Sequence, residues 1–229
     1  MPWLSFGTLA ILLWQPQAQV GFDTPVGELQ ITDPRQLSAC DLPALAMQLG
    51  WQLHLTVGLE TSRDCRLSIL AAPSVAATPL KNISPRQAFD HLMTLMPGFS
   101  WKEIDGAIVV RPEAAWSDPR DVLNLPIAAV RADNDRLEDA VDALLGAVTP
   151  NASVPHGDNV ALRRALIDRR VTFHFRGGTL LEALNAISRT APDMNWQLGY
   201  RNAPDWAGLQ LATPDFLRGS LEARVALPK

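Results

Sequence analysis

Apolar residues recur along this chain at two spacings, about 3.6 and about 2, and the switches between them mark the elements. The stretch WQLHLTV, residues 51–57, alternates: Trp51, Leu53, Leu55 and Val57 share one face, and Gln52, His54 and Thr56 the other. That pattern predicts a half-buried strand. Ahead of it LPALAMQLG reads as a helix, with Asp41 as N-cap, Pro43 in the first turn and Gly50 as the stop. Leu29 and Ile31 lie in a short extended stretch before that helix. Leu67 and Ile69 predict a further strand, and residues 73–79 a looser connection.

The next segment is SPRQAFDHLMTLMPG. Ser84 and Gln87 have the spacing of a capping box, and Pro85 takes the first helical position, where its missing N–H costs nothing. Ala88, Phe89, Leu92, Met93 and Met96 follow at helical spacing until Pro97-Gly98 stops the run. Asp105-Gly106 then predicts a two-residue type I′ turn. Counting outward pairs Ile104 with Ala107, Glu103 with Ile108 and Trp101 with Val110. Phe99, Trp101, Ile108 and Val110 should therefore cover the helix before them. The first half reads strand, helix, strand, strand, helix, hairpin.

Residues 113–126 are rich in proline and charge and are the expected linker. Beyond them, Asn134 or Asp135 is the expected cap of a helix whose stripe is Leu137, Val141, Leu144, Leu145 and Val148. VALRRALIDRR is read as helical, and VTFHFRGG alternates as a strand with Val171, Phe173 and Phe175 on one face. Thr179 and Glu182 make a second capping box, followed by Leu180, Ala183, Leu184, Ile187, Pro192 and Trp196. Ser84 to Trp101 and Thr179 to Trp196 span the same distance, with caps, apolar positions, prolines and indoles in register. The chain is read as two copies of one α/β unit; coincidence of two amphipathic helices is the alternative.

Composition narrows the class. The chain has 229 residues, 47% apolar and 19% charged, enough for two modest cores and inconsistent with wholesale disorder. A net charge of −4 argues against nucleic acid, whose affinity comes from Lys and Arg on phosphates. Residues 3–14 form an apolar run too short to span a bilayer, which takes about 20 residues, but of signal-peptide length, with Ala18 near a cleavage point. No Lys or Arg precedes Arg35, so the usual basic start is missing. A buried N-terminal helix is the alternative. In an exported protein Cys40 and Cys65 read as a disulfide; two buried thiols are the other possibility.

The segments LPALAMQLGWQLHLTVGLE, ISPRQAFDHLMTLMPGFSWKEIDGAIVVRP and VTFHFRGGTLLEALNAISRTAPDMNWQLGY resemble the short domain at the N-terminus of secretins and TonB-dependent receptors. That module runs helix, strand, strand, helix, hairpin. The likeness covers residues 22–112 and, less completely, 122–212; it is one of apolar and turn positions. The segment containing Cys65 is longer than usual, and an Ala-Pro-Asp loop stands in the second copy where the first has a tight turn. The resemblance implies an α+β fold of two small modules, each with one or two amphipathic helices on a short mixed sheet ending in a β-hairpin. The expected layout is a signal peptide over residues 1–19, a first module over 20–112, the linker over 113–126, a second module over 127–215 and a tail over 216–229.

The sequence contains no G-x-S-x-G, P-loop or dinucleotide fingerprint, and His54, His91, His156 and His174 lack ligand spacing. Asp133, Asp135, Glu138 and Asp139 stand where a helix start favours acids. Arg163, Arg164, Arg169 and Arg170 form a basic group that reads as a solvated face or a patch for an acidic partner surface or lipid headgroups, with Arg163, Arg164 and Arg170 as its candidate contacts. Trp116 and Trp206 sit in irregular sequence, as partner anchors or as pins holding a connection to its domain. The expectation is a non-catalytic, cofactor-free periplasmic protein that docks onto other envelope proteins, a secretin, TonB-dependent receptor or signalling partner, in a secretion, pilus or receptor-signalling assembly. One alternative holds a small molecule or cell-wall fragment between the modules. Another is an enzyme built from scattered residues such as His156, Asp158 and Asp205.

Overall fold

In the computed structural model the described residues are 21–65, 77–148, 169–191, 194–200, 206–213 and 220–226. The leader, the strand expected around Leu67 and Ile69, and the segment with His156, Asp158, Arg163 and Arg164 lie outside them, as does Asp205. The fold is α+β.

The first half contains β1 (Val26–Thr32), α1 (Ala44–Leu53), β2 (Val57–Glu60), β3 (Ala77–Ile83), α2 (Pro85–Leu95), β4 (Phe99–Ile104) and β5 (Ala107–Pro112). The helices, the capped start of α2 and the closing hairpin follow the order read from the sequence, whereas the strand expected at Leu67 and Ile69 falls outside the described residues. The capping box of α2 is formed in both directions: Ser84 Oγ accepts from the Gln87 N–H at 3.3 Å, and Gln87 Oε1 accepts from the Ser84 N–H at 2.8 Å. Asp105 and Gly106 take φ of 51° and 75°, and β4 pairs β5 in the register counted from the sequence. The Phe89 and Trp101 rings pack in a tilted pair with centroids 5.8 Å apart, so the hairpin covers its preceding helix.

Four boundaries differ from expectation. Residues 51–53 are helix, because α1 runs through Gly50 to Leu53 and ends at His54 in the left-handed region, φ 54°. Gly50 is there for clearance: a Cβ would stand 2.3 Å from Val57 Cγ2. Trp51 and Leu53 fit either period, and the helix prevails by burying Leu45, Leu49 and Leu53 in one core. Pro43, not Asp41, holds the N-cap position, and Asp41 accepts from Ser38 Oγ at 2.6 Å instead. β3, paired antiparallel with β1, begins inside the supposed loose connection over residues 73–79. Asn134 and Asp135 belong to a strand, with an irregularity in its pairing between Ala132 and Asp135 where Asn134 takes φ 56°.

Residues 113–126 carry two short 3-10 turns, Glu113–Trp116 and Val122–Asn124, and Val122 and Leu123 are wholly buried. The second half follows with β6 (Pro126–Ile127), β7 (Val130–Arg136), α3 (Leu137–Val148), β8 (Arg170–Phe175), β9 (Gly178–Thr179), α4 (Leu180–Ser188), β10 (Asn195–Tyr200), β11 (Trp206–Ala212) and β12 (Ser220–Ala226). Leu137, Val141, Leu144 and Leu145 are buried along one stripe of α3, as read from the sequence. The second capping box is also complete, between Thr179 and Glu182. In each half the strand before the first helix pairs antiparallel with a strand ahead of the capped helix, β1 with β3 and β7 with β8, although the two-residue β9 stands between β8 and α4.

Among the described residues the central sheet has six strands in the order β12-β11-β10-β2-β5-β4. β2 pairs in parallel with β5 on one side and with β10 on the other, so one strand joins the hairpin of each half. The sheet separates two cores. Val57, Leu59, Ile108 and Val110 pack with residues of α1 and α2, whereas Val109, Trp196 and Leu198 pack with those of α3 and α4. The side chains alternate along β5 in the way a pleated strand requires. Trp196 lies over Gly58, its partner on β2, and a Cβ at Gly58 would meet the indole at 2.1 Å. Glycine at this place admits the largest fully buried side chain among the described residues.

Candidate functional site

The parallel strands β5, β2 and β10 end at the same edge. Leu59 is opposite Val110 and Glu60 is opposite Leu198, which brings Glu60, Arg111 and Tyr200 together where these strands finish. Crevices outside the carboxyl ends of parallel strands are a recurrent ligand position.

Arg111 is fully buried at the end of an apolar strand and must find partners for its guanidinium. It donates through Nε to Glu60 at 2.6 Å, through Nη2 to Asp121 at 2.7 Å and to the Ala115 carbonyl at 3.3 Å, and through Nη1 to Asn124 at 2.9 Å. Asp121 also accepts from the Leu123 N–H at 2.9 Å, which caps the second 3-10 turn. Residues 113–126 are thus held down by the charge they deliver. The Tyr200 hydroxyl lies against Glu60 Oε1 and, at 3.3 Å, against Asp121 Oδ2.

Burial dominates the titration of this group. It pushes Glu60 up to about 7, against the pull of Arg111, and Asp121 pushes the same way as burial. Burial and the neighbouring carboxyl groups raise the Tyr200 hydroxyl far above its ordinary range, so it remains a donor. Glu60 is therefore shared between its charged and neutral forms near neutrality.

The cluster forms the floor of a cavity of about 300 Å³, lined among others by Glu60, Thr61, Arg63, Asp118, Asp121 and Tyr200. Arg63 places its guanidinium over the Tyr200 ring at 5.2 Å. Thr61 is 2% exposed, and its Oγ1 has no hydrogen-bond partner among the described residues. The Cys40–Cys65 disulfide is formed. It ties the chain just after the rim residues to the turn that leads into α1.

Of the residues singled out in the sequence, Trp116 is half-buried and donates to Ser100 Oγ at 2.8 Å. Its ring lies 5.0 Å from the Arg111 guanidinium and 4.3 Å from the Lys102 ammonium. It holds the first 3-10 turn against β4 and screens Arg111. Arg170 is exposed at the start of β8 and donates to the Asn134 carbonyl at 3.1 Å, remote in sequence from the crevice. Trp206 opens β11, and its side chain lies outside the described residues. His54, His91 and His174 are exposed; His174 meets Asp133 at 2.9 Å. Arg131 and then His174 hold the Asp133 carboxyl below its usual range through hydrogen bonds. Among the described residues no group of three or more His, Cys, Asp or Glu side chains is placed to hold a metal ion, and no helix is long and apolar enough to cross a membrane.

No family model matches the chain, and comparison with the curated proteins and with the solved structures gives no similar protein. The cluster of Glu60, Arg111, Asp121 and Tyr200 was missed in the sequence. One signal was there: VGLE and AIVVR each end an apolar strand on a charge of opposite sign. Two parallel strands finishing that way place the charges side by side.

Proposed function

We propose that this chain is a non-catalytic protein-interaction module of the cell envelope, exported to the periplasm, that docks onto a partner protein by adding one of the partner's strands to β4. The observation that carries the reading is the edge of β4, which among the described residues stands last in the sheet order and pairs with β5 alone. The Ile108 N–H turns to the Thr56 carbonyl. Its partner Glu103 accordingly belongs to a pair without ladder bonds and directs its N–H and C=O to the outer edge. Such an edge offers backbone hydrogen bonds to an incoming strand.

Two further features support the proposal. The order helix, strand, strand, helix, hairpin in the first half is the order implied by the resemblance to the short domain of secretins and TonB-dependent receptors. A disulfide suits an oxidising compartment. The test is in-cell photocrosslinking from position 102 on β4, with position 139 on the exposed side of α3 as control. Capture of one envelope protein from 102 but not from 139, abolished by Glu103→Pro, is the expected result. Capture that survives Glu103→Pro, or is equal from both positions, overturns strand addition.

A further inference from the structure

The crevice at the ends of β2, β5 and β10 is a built site with unmet polar capacity. Two carboxyl groups, Glu60 and Asp121, converge there on one buried guanidinium, that of Arg111. Arg111 occupies Oε2 of Glu60 and Oδ1 of Asp121, which leaves Oε1 and Oδ2 facing Tyr200. One hydroxyl carries one proton and cannot donate to both carboxyl groups. The cluster is therefore one hydrogen short on that side unless Glu60 is itself protonated. Thr61 adds an independent sign: it lines the same cavity, is 2% exposed, and has an Oγ1 without a partner. A buried polar atom left unpaired in a lined cavity asks for an external group.

We propose that this crevice binds a small ligand through a protonated amine, seated against Glu60, Asp121 and Thr61 and accompanied at the mouth by Arg63. The chemistry follows from the donors and acceptors. An alkylammonium brings three N–H donors and one positive charge, which supplies the missing hydrogen and balances the second carboxylate. A carboxylate or phosphate ligand would face the two carboxyl groups of the floor. The volume of about 300 Å³ is at the small end of ligand sites and suits a molecule of amino-acid or short-amine size. Arg63, whose guanidinium rests on the Tyr200 ring, is placed to meet an acidic group on the same ligand. Amine binding replaces the proton on Glu60, so it releases protons near neutrality and strengthens as the pH rises.

The test uses the full chain with its disulfide intact, titrated calorimetrically with ethylammonium chloride, glycine and sodium acetate at pH 6 and at pH 8 in two buffers of different ionisation enthalpy. Ethylammonium and glycine are expected to bind, more tightly at pH 8, with proton release at pH 6; acetate is expected not to bind. Glycine exceeding ethylammonium, with the excess lost in Arg63→Ala, identifies an amino-acid-like ligand; equal binding identifies a simple amine. Glu60→Gln should weaken the amines at least about tenfold. Thr61→Val, which removes an atom that has no partner among the described residues, should weaken them while leaving the unfolding transition in place. Binding of acetate in preference to the amines, binding of neither, or amine affinity unchanged in both Glu60→Gln and Thr61→Val overturns the proposal.

Discussion

Trp196 Nε1 donates to Asn185 Oδ1 at 2.9 Å, across eleven residues from a strand back to the capped helix before it. Trp101 Nε1 does the same to Asp90 Oδ1, at the same 2.9 Å and the same separation. The two bonds stand at the same distance along the chain from each capped helix to the strand after it. They differ in setting, since Trp196 is wholly buried and Trp101 is only partly so.

That difference fixes a first prediction. Asn185→Ala leaves a buried indole N–H without a partner and also removes the bond to the Ile104 carbonyl. It should cost about 1–3 kcal/mol in urea unfolding. Asp90→Ala lets water replace the carboxylate at a half-exposed ring and should cost less than about 1 kcal/mol. Equal costs would show that the burial of the two indoles is not what distinguishes them.

A methyl at Gly58 has nowhere to go. Gly58→Ala should destabilise by about 1–3 kcal/mol through overpacking against Trp196. Pairing it with Trp196→Phe should cost less than the sum of the two single changes, the mark of a direct contact in a double-mutant cycle.

Glu60 gives a pH dependence of unusual sign. Its folded value, about 7, lies above its ordinary 4.5, so the folded state holds the proton more tightly than the unfolded chain. The stability this contributes is present below about 4.5 and is lost as the pH rises to about 7. A carboxyl group that binds its proton tenfold more tightly in the folded state contributes about 1.4 kcal/mol in this way. The difference in unfolding free energy between the wild type and Glu60→Gln should therefore change across that window and be flat above it. No change between pH 4.5 and pH 7 would mean that Glu60 is not protonated on folding.

Cys40 and Cys65 are separated by 25 positions. Closing such a loop restricts the unfolded chain by about 3–4 kcal/mol on the chain-entropy view. Replacing both cysteines by alanine should lower stability by about that amount and mobilise residues 62–64 at the crevice rim, measured as loss of amide protection there.

Local physics was legible in the sequence. Both capping boxes, the Asp105-Gly106 turn with its register and the apolar stripe of α3 follow from neighbours within a few residues, and the fold keeps them. Residues 51–53 misled because three residues satisfy either period, and Gly50 because a glycine needed for clearance looks like one that ends a helix. The crevice depends on β2 lying between β5 and β10, and the pairing of β2 with β10 joins segments more than a hundred residues apart that no local pattern encodes. Arg111 and Glu60, charged ends of apolar runs, resembled element boundaries until the fold put them in contact.

With β2 lodged between the two hairpins, the sheet is a common wall, and neither side of the molecule keeps a finished edge without the other. The Asn195 side chain even receives the backbone N–H of Val57 at 2.7 Å, stitching the wall at its starting end. A chain severed between residues 126 and 127 would leave two fragments with raw, apolar strand borders. Each would be insoluble or half-formed when made singly, and the two would recover their shape only when mixed.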